Sequence, residues 1–146
     1  MAANISPDPL PAEPTQAQRF EKTRAAQSSA TLEDYAELID DLLTGTGSAR
    51  PTDIARRLGV SHATVIKTIG RLKREGLATS VPYHGVSLTE AGRKLAADTR
   101  ERHRVVVELL TAIGVPRETA EEDAEGIEHY ISAVTLAAFR AFLQHS

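Results

Sequence analysis

Apolar positions first fall into helical rhythm at Leu32, Tyr35, Leu38, Ile39, Leu42 and Leu43, the i, i+3, i+4, i+7 spacing of a helix with one buried face. Thr31 ahead of this stretch and Asp34 three residues later predict an N-cap with an Asp version of the capping box, and Gly45 and Gly47 predict the stop. A short helix is expected at about 52–58 with Thr52 as its cap, and a third from 60–61 to Glu75, ended by Gly76. The runs 77–82 and 86–88 flank Tyr83-His84-Gly85 and predict a hairpin turning at His84-Gly85. Thr89 then caps a long helix from Glu90 to about Ile113, closed by Gly114 and Pro116, and two more helices are expected at 117–130 and 133–145. Four of the seven prolines lie in the first fourteen residues, which predicts a disordered, Pro-rich tail over 1–27. The fold class is therefore mostly α: three helices and a β-hairpin, followed by a helical half.

The second and third of these helices have the form of a helix-turn-helix. Ala55 supplies the small residue that lets two helices approach, and Gly59, four residues on, can take the left-handed conformation that turns the chain. Ile54, Leu58, Val60, Val65, Ile69 and Leu72 form the apolar seam. The N-terminal residues of a recognition helix lie near base edges and its later basic residues near phosphates. Ser61, His62 and Thr64 are thus candidates for base or backbone contact, and Lys67, Thr68 and Arg71 complete the DNA-facing set, with Lys67 and Arg71 on phosphates. The hairpin becomes the wing of a winged helix-turn-helix over 28–92, leaving 93–146 as a helical domain. Gly70, inside the recognition helix, costs about 1 kcal/mol relative to Ala and suggests a close helix crossing.

Charge sharpens this picture. Residues 49–104 carry 12 basic and 5 acidic side chains, a net +7, while 1–48 and 105–146 each carry −5. A basic middle between acidic flanks is a footprint for double-stranded DNA. No run approaches the ~20 apolar residues of a membrane span, and no signal-peptide pattern opens the chain, so a cytoplasmic protein without a membrane partner is expected. With no cysteine, thiolate metal sites and cysteine nucleophiles are excluded. No Trp and 4% aromatics argue against a stacking platform for single strands.

Any metal must then be held by His, Asp and Glu. Asp34 and Glu37 share a face of the first helix, His103 lies on the long helix, and Glu125, Glu128 and His129 cluster near the C-terminus. Four carboxylates and two imidazoles without sulfur form a hard donor set suited to manganese-like ions, enough for one octahedral ion or two sharing carboxylates. A carboxylate-bridged oxidase would need Glu-x-x-His pairs on a four-helix bundle, and none stands near these residues, so no enzyme is expected.

The stretches Leu32-Glu33-Asp34-Tyr35-Ala36-Glu37-Leu38, the helix-turn-helix, Tyr83-His84-Gly85-Val86-Ser87-Leu88-Thr89, Arg102-His103 and Asp123-Ala124-Glu125-Gly126-Ile127-Glu128-His129 together resemble the diphtheria-toxin-repressor superfamily of metal-dependent repressors, over about residues 30–145. The resemblance implies a homodimer that binds Mn2+ as a binuclear cluster, two ions per subunit, between the DNA-binding and dimerisation domains. Residue by residue, it implies Asp34, Glu37, His103, Glu125, Glu128 and His129 as ligands. It further implies a palindromic operator and repression of manganese uptake genes when the metal is plentiful; the SH3-like domain that larger members carry is not expected after the helical half. Iron-type members carry Met and Cys where this chain has Asp34 and Glu125, which points to the manganese branch. An Fe2+-responsive repressor and a winged-helix regulator with an organic effector are the alternatives. Leu95, Val106, Leu109, Leu110, Ile113, Leu136, Phe139 and Phe142 are candidates for the dimer core.

Overall fold

The computed structural model describes residues 9–145. Eight elements follow one another: α1 (Glu13–Thr46), α2 (Pro51–Leu58), α3 (His62–Arg74), β1 (Ala78–Val81), β2 (Gly85–Leu88), α4 (Glu90–Ala112), α5 (Arg117–Ile127) and α6 (Ala133–Gln144). Side-chain caps fix three of the starts. Ser61 accepts from the Thr64 N–H, Thr89 from Gly92 and Ser132 from Thr135.

The largest departure from the sequence reading is α1, which begins at Glu13 rather than near Thr31 and runs for 34 residues. Residues 13–27, expected to be disordered, are helical; residues 1–8 of that expected tail lie outside the described residues. Pro14 is tolerated because it stands in the first turn, where an N–H would have no partner, and no proline or glycine follows until Gly45. Thr31 and Asp34 are consequently not cap residues but lie inside the helix. Gly45 is inside it as well, and Gly47, at φ 82°, ends it. In α2 the cap is Arg50, with Pro51 in the first turn, in place of Thr52.

Two cores organise the chain. Leu32, Tyr35, Ala36, Ile39 and Leu42 of α1 pack with Ile54, Val65, Ile69, Leu72, Val86 and Leu88 beneath the winged helix. Gly59, at φ 69°, makes the helix-turn-helix turn as expected. The strands pair antiparallel from Ala78↔Leu88 to Val81↔Gly85, and Tyr83, at φ 66°, stands at the wing tip. Gly85 leaves room for the Ala49 carbonyl, which a Cβ would meet at 2.3 Å. Gly70 has no such role: a Cβ there would meet only the Arg74 guanidinium, at 3.4 Å, so no helix crosses at that point.

The second core joins Val106 and Val107 of α4 to Ala120 and Ala124 of α5, with Leu110, Ile127 and Phe139 against it. Several side chains expected at a dimer core are therefore used within the subunit: Val106, Leu110 and Phe139 here, and Leu95 on the first core. Ile113, Val134 and Phe142 are exposed. Helix α4 joins the two cores, packing on α1, β2, α5 and α6.

Candidate metal centre and nucleic-acid interface

Three helices, α1, α4 and α5, and the turn after α5 bring the sequence-predicted ligands together where the two cores meet. Asp34 and Glu37 project from α1, His103 from α4 and Glu125 from the last turn of α5, while Glu128 and His129 follow directly after it. Two triplets form, each with donor atoms within 4.8 Å of one another: Asp34, Glu128 and His129, and His103, Glu125 and Glu128. Glu128 belongs to both. Glu37 belongs to neither, but lines a cleft of about 210 Å3 with Asp34, Asp41 and Glu125.

The centre is buried at Glu128 and His129 and opens to solvent at Glu125, and it is under electrostatic tension. Glu128 is 1% exposed, and burial raises its carboxyl to about 7, with His103 opposing the shift. Burial disfavours charge on His129, but contacts with Asp34 and Glu33 outweigh it and lift the ring to about 10. His103 moves upward for the same reason, its bonds to Glu121 and Glu128 prevailing over burial. Glu37 is also raised, by burial first and by its neighbours Glu125 and Asp41, against the pull of Arg100.

Two polar atoms at this point lack hydrogen-bond partners: Glu128 Oε1 and His129 Nε2, both buried and 3.6 Å apart. His129 Nε2 also lies 2.9 Å from Asp34 Oδ1 without hydrogen-bond geometry. Orphaned buried polar atoms are costly, and a divalent cation that replaces the proton would satisfy both. The donor set and these two atoms fit a metal site.

Two further carboxylates, unremarked in the sequence, touch the imidazoles. Glu33 is buried on α1, with Oε2 2.5 Å from His129 Nδ1 and Oε1 3.1 Å from Arg102. Glu121, on α5, accepts from His103 Nε2 at 2.7 Å. Glu33 was hidden because it breaks the apolar pattern beside Leu32 and Asp34. Glu121 was hidden inside the acidic run 118–128, whose members are alike in sequence. Spacing carries no signal for either.

On the recognition helix α3, Ser61, His62, Thr64 and Lys67 are exposed and Thr68 is half-buried. Ser61 Oγ and Thr64 Oγ1 are hydrogen-bonded at 2.9 Å as part of the cap. Arg71 does not project freely: its guanidinium donates to the carbonyl and hydroxyl oxygens of Ser28, at 3.0 and 2.8 Å. The extension of α1 thus rests against the recognition helix.

A winged helix-turn-helix joined to a buried carboxylate–imidazole centre defines a metal-dependent DNA-binding transcriptional regulator. Residues 27–86 match the family described as iron dependent repressor, N-terminal DNA binding domain, and residues 89–146 match iron dependent repressor, metal binding and dimerisation domain. The chain belongs to this iron-dependent repressor family. It is 48% identical over 125 residues to the transcriptional regulator MntR of Escherichia coli O6:H1, covering 86% of this chain and 81% of that protein. To the HTH-type transcriptional regulator MntR of Lysinibacillus sphaericus it is 37% identical over 102 residues, 70% of this chain and 73% of that one. Among solved structures, the manganese regulator SloR superposes with a TM-score of 0.70 at 28% identity, covering 79% of this chain and 54% of that one. T. acidophilum IdeR gives 0.68 at 30% identity, covering 77% and 53%. The chain spans about half the length of these two structures. Its relatives are transcriptional regulators and not enzymes. Among the described residues no helix is long and apolar enough to cross a membrane.

Proposed function

We propose that this chain is a cytoplasmic, manganese-responsive repressor of manganese uptake genes. Asp34, Glu37, His103, Glu125, Glu128 and His129 are the residues that would hold Mn2+, with donors enough for two ions per subunit. The observation that carries this reading is the membership of Glu128 in both donor triplets. The sulfur-free donors favour a hard cation, and relatives at 48% and 37% identity bear the name MntR. Fe2+, chemically close to Mn2+, is the second metal to test, since the matched family is described as iron dependent.

A divalent ion held by these residues would supply the positive charge that neutralises the clustered carboxylates, and its ligands on α1, α4 and the turn after α5 would be tied together. Glu33 and Arg102 then keep α1 in register with α4. The unit 28–92 presents Ser61, His62, Thr64, Lys67, Thr68 and Arg71 to a palindromic operator, and 93–146 joins two subunits so that their recognition helices lie one helical turn of DNA, or a multiple, apart.

The test is fluorescence anisotropy on a palindromic uptake-gene promoter at fixed salt, with Mn2+, Fe2+, Zn2+ or chelator. Binding that appears with Mn2+ and vanishes with chelator is expected. Equal binding with and without metal refutes metal control and redirects the search to an organic effector.

A further inference from the structure

Both imidazoles of the centre have carboxylate oxygens within 4 Å of each ring nitrogen. His129 directs Nε2 to Asp34 and Glu128, and its Nδ1 meets Glu33. His103 has the opposite orientation: Nδ1 lies 2.6 Å from Glu128 and 3.5 Å from Glu125, and Nε2 meets Glu121. We infer that Glu33 and Glu121 are positioning residues, each fixing one histidine so that a defined nitrogen, Nε2 of His129 or Nδ1 of His103, is left bare toward its own donor triplet. This rests on the metal-binding reading above and adds to it two residues outside the six proposed ligands.

The chemistry is that of a carboxylate behind a metal-bound histidine. A neutral imidazole has one N–H and one lone pair, and a carboxylate, which only accepts, selects the tautomer with the N–H on its own side. It also makes the bare nitrogen a better donor and holds the ring plane. Each carboxylate is itself held. Glu33 is anchored by Arg102, which leaves its other oxygen for His129. Glu121 is anchored by Arg117, with Oε1 3.3 Å from the guanidinium Nε and Oε2 on His103. The two relays differ in setting: Glu33 is buried, whereas the Glu121 side chain is 45% exposed. They act on different triplets that meet only at Glu128, so removing one should weaken one ion and spare the other.

The full-length chain is titrated with Mn2+, free ion being followed by electron paramagnetic resonance, in the native form and in Glu121→Ala, Glu121→Asp and Glu33→Gln. Glu121→Ala is expected to weaken one of two sites by about 10–100-fold with the other unchanged, and Glu33→Gln to weaken the opposite site. Glu121→Asp should recover part of the loss. A second readout is the coupling between 113Cd2+ and 15N-labelled histidine, which identifies the ligating nitrogen. It should report Nδ1 for His103 and Nε2 for His129, and Glu121→Ala should broaden or split the His103 signal.

Unchanged affinities in both variants overturn the inference, as does cadmium coupled to His103 Nε2, because Glu121 would then stand at a ligand position. Failure of the native chain to bind divalent metal would instead overturn the functional reading itself, and the inference with it. Circular dichroism of the variants separates a lost site from a lost fold.

Discussion

Contacts with Asp34 and Glu33 hold a proton on His129 to about pH 10, against the effect of burial, and burial itself holds one on Glu128 to about pH 7. As proposed ligands, both groups would give up that proton on binding a cation, so metal binding is expected to release protons. The sign follows for both. Each folded-state pKa is raised, His129 from 6.5 and Glu128 from 4.5. The stability each lends the metal-free protein is therefore present at low pH. It is lost as pH rises, through about 7 for Glu128 and about 10 for His129. Mn2+ affinity accordingly rises between pH 6 and 8.5, by up to roughly tenfold per pH unit for each proton released. Calorimetry in buffers of differing ionisation enthalpy measures the protons directly; a pH-independent affinity with no proton release would contradict this account. At the DNA face, Lys67 is free and Arg71 is held on Ser28. Lys67→Ala should flatten the plot of log affinity against log salt by about 0.9 per half-site. Arg71→Ala should flatten it less, and an equal effect would show that Arg71 leaves Ser28 to reach a phosphate.

At the scale of elements, the base of the wing is fitted to the start of α4. A Cβ at Gly92 would lie 2.1 Å from the Leu77 carbonyl oxygen, and Thr89 donates its hydroxyl proton to the Gly76 carbonyl at 2.6 Å while capping α4. Gly92→Ala should destabilise the protein by about 2 kcal/mol, since backbone rather than a flexible side chain must yield. Thermal unfolding would show it as a fall in Tm of about 6 °C, and an unchanged Tm would mean the two elements are not in close contact. These elements were legible in the sequence because their signals are local: the cap Thr89, the turn glycine Gly59, and the periodic seam from Ile54 to Leu72. The start of α1 was not, because the proline-rich composition around it outweighed the fact that Pro14 suits a first turn. The six proposed ligands were legible from their residue types and the resemblance they carry. Glu33 and Glu121 were not, because what distinguishes them from the chain's other acids is which ring nitrogen they face across the fold, and 96 and 18 residues separate them from those partners.

For the whole molecule, control of DNA binding requires that metal favour the binding-competent arrangement by ~5.5 kcal/mol to move occupancy from 1:99 to 99:1. Glu125→Ala and His129→Ala should each abolish Mn2+-dependent operator binding in an anisotropy titration while leaving helical content unchanged. Operator binding that still demanded Mn2+ in either variant would remove that residue from the ligand set. The two losses differ in cost to the metal-free protein. His129 is buried between Glu33 and Asp34, and its removal leaves the Glu33 carboxylate facing an empty space. Glu125 is exposed and leaves no such gap.

Helix α4 starts at the base of the wing and ends in the second core, and it is unbroken from Glu90 to Ala112. The proposed boundary between 92 and 93 therefore falls within its first turn, not in a connecting loop. A stiff rod of 23 residues, about 34 Å at 1.5 Å per residue, joins the reading head to the half that meets the partner subunit. A device built this way has no slack to take up. Tightening the joint at Glu128 would adjust the angle and steadiness of two rigid arms, much as a set-screw fixes the spread of a pair of callipers.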